Sequence, residues 1–211
     1  MARARAYVLI GIFLLASMCA RAQQWRDPKN ELSGSIGHFF ISDHHVPGLS
    51  FDSVLTTGPG FTFGLSYGRR LWGNDLASFT AEFPVFFNLD EDVHLKTNLV
   101  PGDYSAYFLA PSLRVNLFPK TYISPWISVG GGFGHFTASP KLEFGGANPG
   151  ITSKNSGVGQ FGAGIDAAIF KSFSLRGEVR DCYSAAPPLN VDLGVTRQHN
   201  LFVGGGLVFQ F

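Results

Sequence analysis

The segment Arg197-Gln198-His199-Asn200-Leu201-Phe202-Val203-Gly204-Gly205-Gly206-Leu207-Val208-Phe209-Gln210-Phe211 brings the chain to its last residue on an aromatic. Counting back from Phe211, alternate positions are Phe209, Leu207, Gly205, Val203 and Leu201. That is a period of two, the period of a β-strand with one apolar face. A terminal aromatic does little for a domain in water. It helps a strand that closes a sheet in a bilayer, where the ring rests at the lipid–water interface.

The opposite end agrees. Arg3 and Arg5 precede an apolar stretch from Ala6 to Ala20, and Ala20-Arg21-Ala22 supplies small residues for cleavage. This reads as a secretory signal peptide over residues 1–22, removed before Gln23. The other processing signal, lipidation at Cys19, fits poorly because the bulky Met18 stands beside the cysteine. Removing Arg3, Arg5 and Arg21 turns 16 Lys and Arg against 15 Asp and Glu into 13 against 15, with no basic excess for nucleic acid. Removing Cys19 leaves Cys182 alone, so no intramolecular disulfide forms. After residue 22 no stretch reaches the ~20 apolar residues of a membrane helix. Residues 23–211 suit one domain.

Eight strands are expected near 32–42, 60–71, 77–87, 104–117, 122–137, 157–170, 173–184 and 198–211. The connections alternate long and short throughout. The long ones run 43–59, 88–103, 138–156 and 184–197; the short ones are 72–75, 118–121 and 171–172. This is the pattern of an up-and-down antiparallel transmembrane barrel with tight turns at one end and long loops at the other. An even strand number puts both termini in the periplasm.

Side-chain alternation assigns the faces. Phe79, Ala81, Phe83, Val85 and Phe87 oppose Thr80 and Glu82. Leu109, Pro111, Leu113, Val115 and Leu117 oppose Ala110, Ser112, Arg114 and Asn116. Phe161, Ala163, Ile165, Ala167 and Ile169 oppose Gln160, Gly162, Gly164 and Asp166, and Leu175, Gly177 and Val179 oppose Arg176, Glu178 and Arg180. The second set is too charged for a dry ligand cavity. The polar face is therefore the interior and the apolar face meets lipid. Two aromatic girdles follow: Tyr67, Trp72, Phe118, Tyr122, Trp126, Phe170, Phe173 and Phe211 toward the short turns, and Phe87, Tyr104, Tyr107, Phe136, Tyr183 and Phe202 toward the long loops.

Four stretches carry a resemblance. They are Pro125-Trp126-Ile127-Ser128-Val129-Gly130-Gly131-Gly132-Phe133-Gly134, Gly162-Ala163-Gly164-Ile165-Asp166, Ser174-Leu175-Arg176-Gly177-Glu178-Val179-Arg180 and the closing Val203–Phe211. With them the whole mature chain resembles the small eight-stranded outer-membrane β-barrel family, the OmpA/OmpX-type domain also labelled porin family or outer membrane beta-barrel protein. The resemblance implies residence in the outer membrane of a Gram-negative-type envelope, and contact with outer-membrane lipid and the outer-membrane assembly machinery. Leu207, Phe209 and Phe211 would form the C-terminal assembly signal. Members include anchors, adhesins, small channels and a few lipid enzymes. With Phe211 last, no peptidoglycan-binding domain like that of OmpA is expected.

Within that frame the expected role is a monomeric, non-enzymatic barrel serving envelope structure or surface interaction, with an unidentified surface ligand and no cofactor. The alternative is a narrow small-solute channel; a lipid-modifying enzyme is the third reading. The inward charges Glu82, Arg114, Asp166, Arg176, Glu178 and Arg180 sum to zero and read as a plug filling a bore one side-chain layer wide. The competing reading is a gate whose partners exchange. Asp90-Glu91-Asp92 with His94 could offer hard ligands to a cation, but the spacing matches no known calcium loop and a solvated acidic loop is expected. His44-His45 and His199 raise a hydrolase, which needs a nucleophile within reach of its base; no serine stands near His199 in sequence. Cys182 should be an inert inward thiol near the outer rim. Gly130, Gly131, Gly132 and Gly134 should permit close strand contact rather than bind phosphate.

Overall fold

The computed structural model describes residues 28–48, 54–58 and 60–211. The proposed signal peptide, its cleavage site and Cys19 lie outside them. Eleven strands occur among the described residues: β1 (Asn30–Phe40), β2 (His44–His45), β3 (Val54–Thr57), β4 (Phe61–Gly73), β5 (Ala77–His94), β6 (Asp103–Leu109), β7 (Ser112–Leu117), β8 (Ile123–Ala138), β9 (Ser153–Phe170), β10 (Phe173–Ala185) and β11 (Arg197–Gln210). No described helix is long and apolar enough to cross a membrane.

Eight staves close a ring. β1 pairs β4, β4 pairs β5, β5 pairs β6 and β7, these pair β8, and β8, β9, β10 and β11 follow in order. β11 returns to β1 in an antiparallel register from Glu31 opposite Gln210 to Phe40 opposite Leu201. Every pairing in the ring is antiparallel, as the expected fold class requires. β6 and β7 are one stave interrupted at Ala110–Pro111, where proline has no N–H to give the ladder; the register against β5 and β8 is the same on both sides of the break. Gly132 lies against this break, and a Cβ there would collide with the Leu109 carbonyl. Its neighbour Gly131 donates its N–H to the Pro111 carbonyl at 3.1 Å. The glycine run thus serves close strand contact, as its place on a strand suggests.

The turns also follow from the residues. Asn74 closes the β4–β5 turn by accepting the N–H groups of Leu76 and Ala77 on its side-chain oxygen, at 2.9 and 2.8 Å. Asparagine favours such turns because its short amide imitates the backbone. β9 and β10 are joined by Lys171–Ser172 alone.

The barrel is apolar on the outside. Leu32, Ile36, Leu65, Phe83, Leu113, Ile127, Val129, Ile165, Leu175 and Leu207 are each about half exposed on outward faces. This belt cannot rest in water; it is the lipid-facing band of a transmembrane barrel. Leu207, Phe209 and Phe211 are also outward. The short-turn girdle holds for Tyr67, Trp72, Phe118, Phe170, Phe173 and Phe211, all exposed, with Trp72 packed 5.7 Å from Phe79.

Four aromatics expected in the girdles are instead buried inside the barrel: Trp126, Tyr104, Phe136 and Phe202. Each shares the parity of polar inward neighbours, Ser124 and Ser128 beside Trp126 and Asn200 beside Phe202. Height along the barrel was a poorer guide than parity, because a ring at the interface must also point outward.

Outward and inward positions should answer oppositely to a charge. Leu113→Arg puts a guanidinium in the lipid belt and should cost ~2–4 kcal/mol in folding titrations into vesicles. Ser112→Arg, one residue away, should act by crowding the interior, and its cost should not change with bilayer thickness. An unaltered titration for Leu113→Arg would mean that this face does not meet lipid.

Candidate functional site

The lower half of the bore, toward the short turns, is a closed network of ions. Glu82 on β5 is fully buried. Its Oε1 accepts from Ser112 Oγ at 2.9 Å and from Arg180 Nη1 at 2.7 Å, and its Oε2 accepts from Arg114 Nη1 at 3.2 Å. Arg176 and Asp166, directly opposite each other on β10 and β9, form a two-point contact with both distances 2.8 Å. Arg180 Nε reaches Glu178 at 2.8 Å. The two parallel bonds of an arginine fork on a carboxylate fix geometry as well as charge. The six residues expected from alternation therefore meet in one place.

Two members were missed. Glu31 on β1 accepts from Arg114 Nη2 at 2.6 Å and Arg176 Nη2 at 3.2 Å. It makes the network four carboxylates against three guanidiniums. Glu31 stands at the very start of the first stave, one residue before the expected strand, beyond the reach of the alternation. Trp126 is the second. All three guanidiniums lie over its ring, 5.6, 5.2 and 4.8 Å from the centroid for Arg114, Arg176 and Arg180, while its indole N–H donates to Asp166 at 3.1 Å. A π face attracts cations, most strongly away from water. The ring thus separates three like charges and helps hold them in one layer.

An aromatic layer crosses the upper half of the bore beside buried Thr62, Asn88, Gln198 and Asn200, which corrects the expectation of a wholly polar interior. Phe39, Phe86, Phe108, Phe136 and Phe202 form it with edge-on and tilted contacts between 4.9 and 6.2 Å. Arg180 lies 5.9 Å from the Phe86 centroid and joins the two layers. Above them Val46, Leu55, Val93, Leu95, Val100, Ala186, Leu189 and Leu193 continue the same cluster into the long loops. The loops are also tied to one another. Asn98 donates to the Gly145 carbonyl at 2.9 Å, Glu143 accepts from Leu95 N–H at 2.9 Å, and Asn190 donates to Asn148 at 2.7 Å.

The acidic segment is not a solvated loop. β5 runs on to His94, and a bulge after Asn88 leaves Leu89 and Asp90 both outward. One extra residue exchanges the faces of everything beyond it. Glu91 therefore turns inward, above the last outward apolar residue, Leu89, and clear of the membrane belt. It is fully buried, and its Oε2 accepts from Gly60 N–H at 3.1 Å and Asn88 Nδ2 at 2.7 Å. Among the described residues its Oε1 has no hydrogen-bond partner, and Tyr104 stands opposite it across the ladder. Burial pushes the Glu91 carboxyl up to about 7, with the charges of Asp92 and Asp90 adding to the rise. His94 points away and pairs with Glu143 at 3.0 Å. Among the described residues no cluster of three or more His, Cys, Asp or Glu could hold a metal.

Cys182 is a free, fully buried thiol facing inward, as expected. His44 and His45 form β2, paired with β3 over the first long loop. His199 lies outward on β11, its Nδ1 2.6 Å from Asp181 Oδ2. Ser42, just beyond β1, lines the same outer-wall cavity as His199 and Asp181. Only ring closure could reveal this, since 42 and 199 lie at opposite ends of the chain.

No protein-family model matches the chain, and no curated protein matches it in sequence. Among the solved structures that its fold matches are two outer-membrane proteins. Neisserial surface protein A (NspA) has 16% identity and a TM-score of 0.53, over 86% of this chain and 97% of that one. OprG from Pseudomonas aeruginosa has 14% identity and a TM-score of 0.51, over 90% of this chain and 99% of that one. The likeness at these identities is one of fold: this chain is a small outer-membrane-type β-barrel.

Glu82→Ala should leave Arg114 and Arg180 facing each other without their shared carboxylate. The expected cost is ~3–5 kcal/mol, read from urea titrations of the barrel in vesicles. A change below ~1 kcal/mol would mean water already screens the network. Glu91 gives a second expectation. Its carboxyl is higher in the fold than the ordinary 4.5, so the fold favours its protonated form. That stabilisation is complete below the ordinary value and is lost as pH rises through about 7. Glu91→Gln, always neutral, should flatten the fall in stability between about pH 5 and about pH 8. Parallel pH profiles for the two proteins would refute the assignment.

Proposed function

We propose that the protein resides in the outer membrane as a plugged barrel and acts at the cell surface, through its loop cap, rather than by conducting solutes. The observation that carries this reading is the continuous filling of the bore. Ions and Trp126 occupy the lower half, five phenylalanines the upper half, and loop side chains the mouth. An eight-stranded ring is only wide enough to be filled by side chains. The cavity among Glu31, Arg114 and Asp166 at the short-turn end has room for a water or two, about 20 Å³, and not for a solute.

The loop cap supports contact with something outside. Cross-loop hydrogen bonds hold it in one arrangement, so a partner would not have to order it on binding. It also presents Leu99, Phe144, Ile151 and Val195, exposed by 44, 63, 68 and 41%. Apolar side chains held above a membrane belt on an ordered platform suit a surface ligand or a neighbouring envelope component. Both termini would then lie on the periplasmic side, with the short turns. A narrow channel is the rival reading, and it requires the plug to part.

Conductance separates the two. The wild-type barrel in a planar bilayer should show no steady current. Arg176→Ala or Glu82→Ala should leak small ions, because an orphaned buried charge draws in water. Large stable wild-type openings would overturn the surface reading and establish the channel.

A further inference from the structure

We propose that Glu91 is a proton-sensitive latch for the first long loop. The loop is fastened to the barrel while the carboxyl holds its proton and is released when the proton leaves. The latch rests on the surface reading for its use and deepens it, since it makes the order of the loop cap depend on the acidity outside.

The loop is tied to the part of β5 that lies beyond the bulge. β3 pairs with it, Thr57 opposite Val93 and Thr56 opposite His94. Gly58 N–H donates to the Asp92 carbonyl at 2.9 Å. Gly60, where the loop passes into β4, donates its N–H to Glu91 Oε2 at 3.1 Å. Of these ties only the last is made to a group that can change its charge. The approach is close. A Cβ on Gly60 would strike Glu91 Oε2, Asn88 Oδ1 and the Asp90 carbonyl, which leaves no space for a water on that side of the backbone.

Acceptors outnumber donors in this pocket. Glu91 Oε2 accepts from Gly60 and from Asn88 Nδ2, while among the described residues Glu91 Oε1 and Asn88 Oδ1 have no donor. Both side chains are buried. A proton on the carboxyl turns one acceptor into a donor. A carboxylate leaves the shortage in place, and a buried charge short of partners is costly until water reaches it.

The surrounding groups act in the same direction. On its own strand, Asp92 and Asp90 repel a further negative charge. On β6, Asp103 stands opposite Asp92 and Tyr104 opposite Glu91. Burial raises the Tyr104 hydroxyl well above the usual phenol range, so it stays neutral, and the Gln198 side chain that reaches it from β11 is uncharged. The β4 and β3 sides bring Thr62, Thr56 and Thr57, which do not titrate. On the outer face His38 of β1 packs edge-on against Phe61, the residue opposite Asp90. His94 is engaged with Glu143. Water can reach Glu91 Oε1 in two ways, by parting the staves or by lifting Gly60 with the loop behind it. The staves are ring members held by ladders on both sides, so the loop gives first.

The sign follows. With the loop seated the carboxyl lies at about 7; hydrated, it returns toward the ordinary 4.5. Seating is therefore firmest below the ordinary value and weakens as pH rises to about 7.

Hydrogen exchange of the folded full-length barrel in phospholipid vesicles reads the latch, with rates corrected for intrinsic pH dependence. The amides of Gly58 and Gly60 should open ~10²-fold more often at about pH 8 than at about pH 5. The closing ladder of β11 over 203–207 should not change. Glu91→Gln, which keeps an acceptor and adds a donor, should hold the loop seated at both values. Asp92→Asn keeps the latch and removes a repelling charge, so it should move the transition to lower pH. A wild type whose exchange at Gly58 and Gly60 does not vary with pH overturns the proposal, as does a Glu91→Gln barrel that still opens with pH. Should Glu91→Gln fail to fold, an unmoved transition in Asp92→Asn overturns it instead. Conductance judges the surface reading separately: a barrel that conducts and yet shows this exchange pattern refutes that role and retains the latch.

Discussion

The interaction on which everything else depends is the pairing of the first stave with the last. In hydrocarbon no water can satisfy a free N–H or C=O, so a sheet survives there only as a closed ring. β1 and β11 make that closure over ten register pairs. It continues to the chain end, where Asn30 and Phe211 exchange both backbone bonds at 3.0 and 2.9 Å. The closure is tight. A Cβ on Gly206 would strike the Gly34 carbonyl, so the glycine run of β11 is what lets the two backbones meet.

Closure brings together groups far apart in sequence. It places Glu31 and Ser33 of β1 against Arg176 of β10, completing the ion network from the side that β11 alone could not supply. It also puts Ser42 and His199 on one outer-wall cavity. The same ring fixes the bore at a width that side chains must fill, and two solutions share the length. Near the short turns, guanidiniums and carboxylates satisfy one another over an indole face. Near the loops, phenylalanines need no partners. Buried charges are tolerated when partners and further hydrogen bonds offset their desolvation, and the lower layer supplies these with forks, the Ser112 hydroxyl and the Trp126 indole.

Glu91 and Tyr104 stand at the loop end of the bore, as a cross-strand pair. Among the described residues Glu91 Oε1 has no partner, although the side chain is buried. A protonated Glu91 suits that surrounding better than a carboxylate, because burial opposes the charge and two aspartates beside it oppose it further.

The residues alone specified the class of fold, the number of staves, the alternation of long and short connections, and the inward set Glu82, Arg114, Asp166, Arg176, Glu178 and Arg180. All of these follow from a period of two and from turn residues, which are local properties. They also placed Cys182 inward. What the tertiary structure decided is everything that depends on register between staves. The bulge after Asn88 turned Glu91 inward, where a count by twos would have chosen Asp90. Trp126, Phe136 and Phe202 went inside because parity outranks height. Glu31 joined the ions only because the ring closes. A sequence displays neighbours along the chain; a closed sheet makes neighbours across it, and the partner and its offset are set by the whole ring at once.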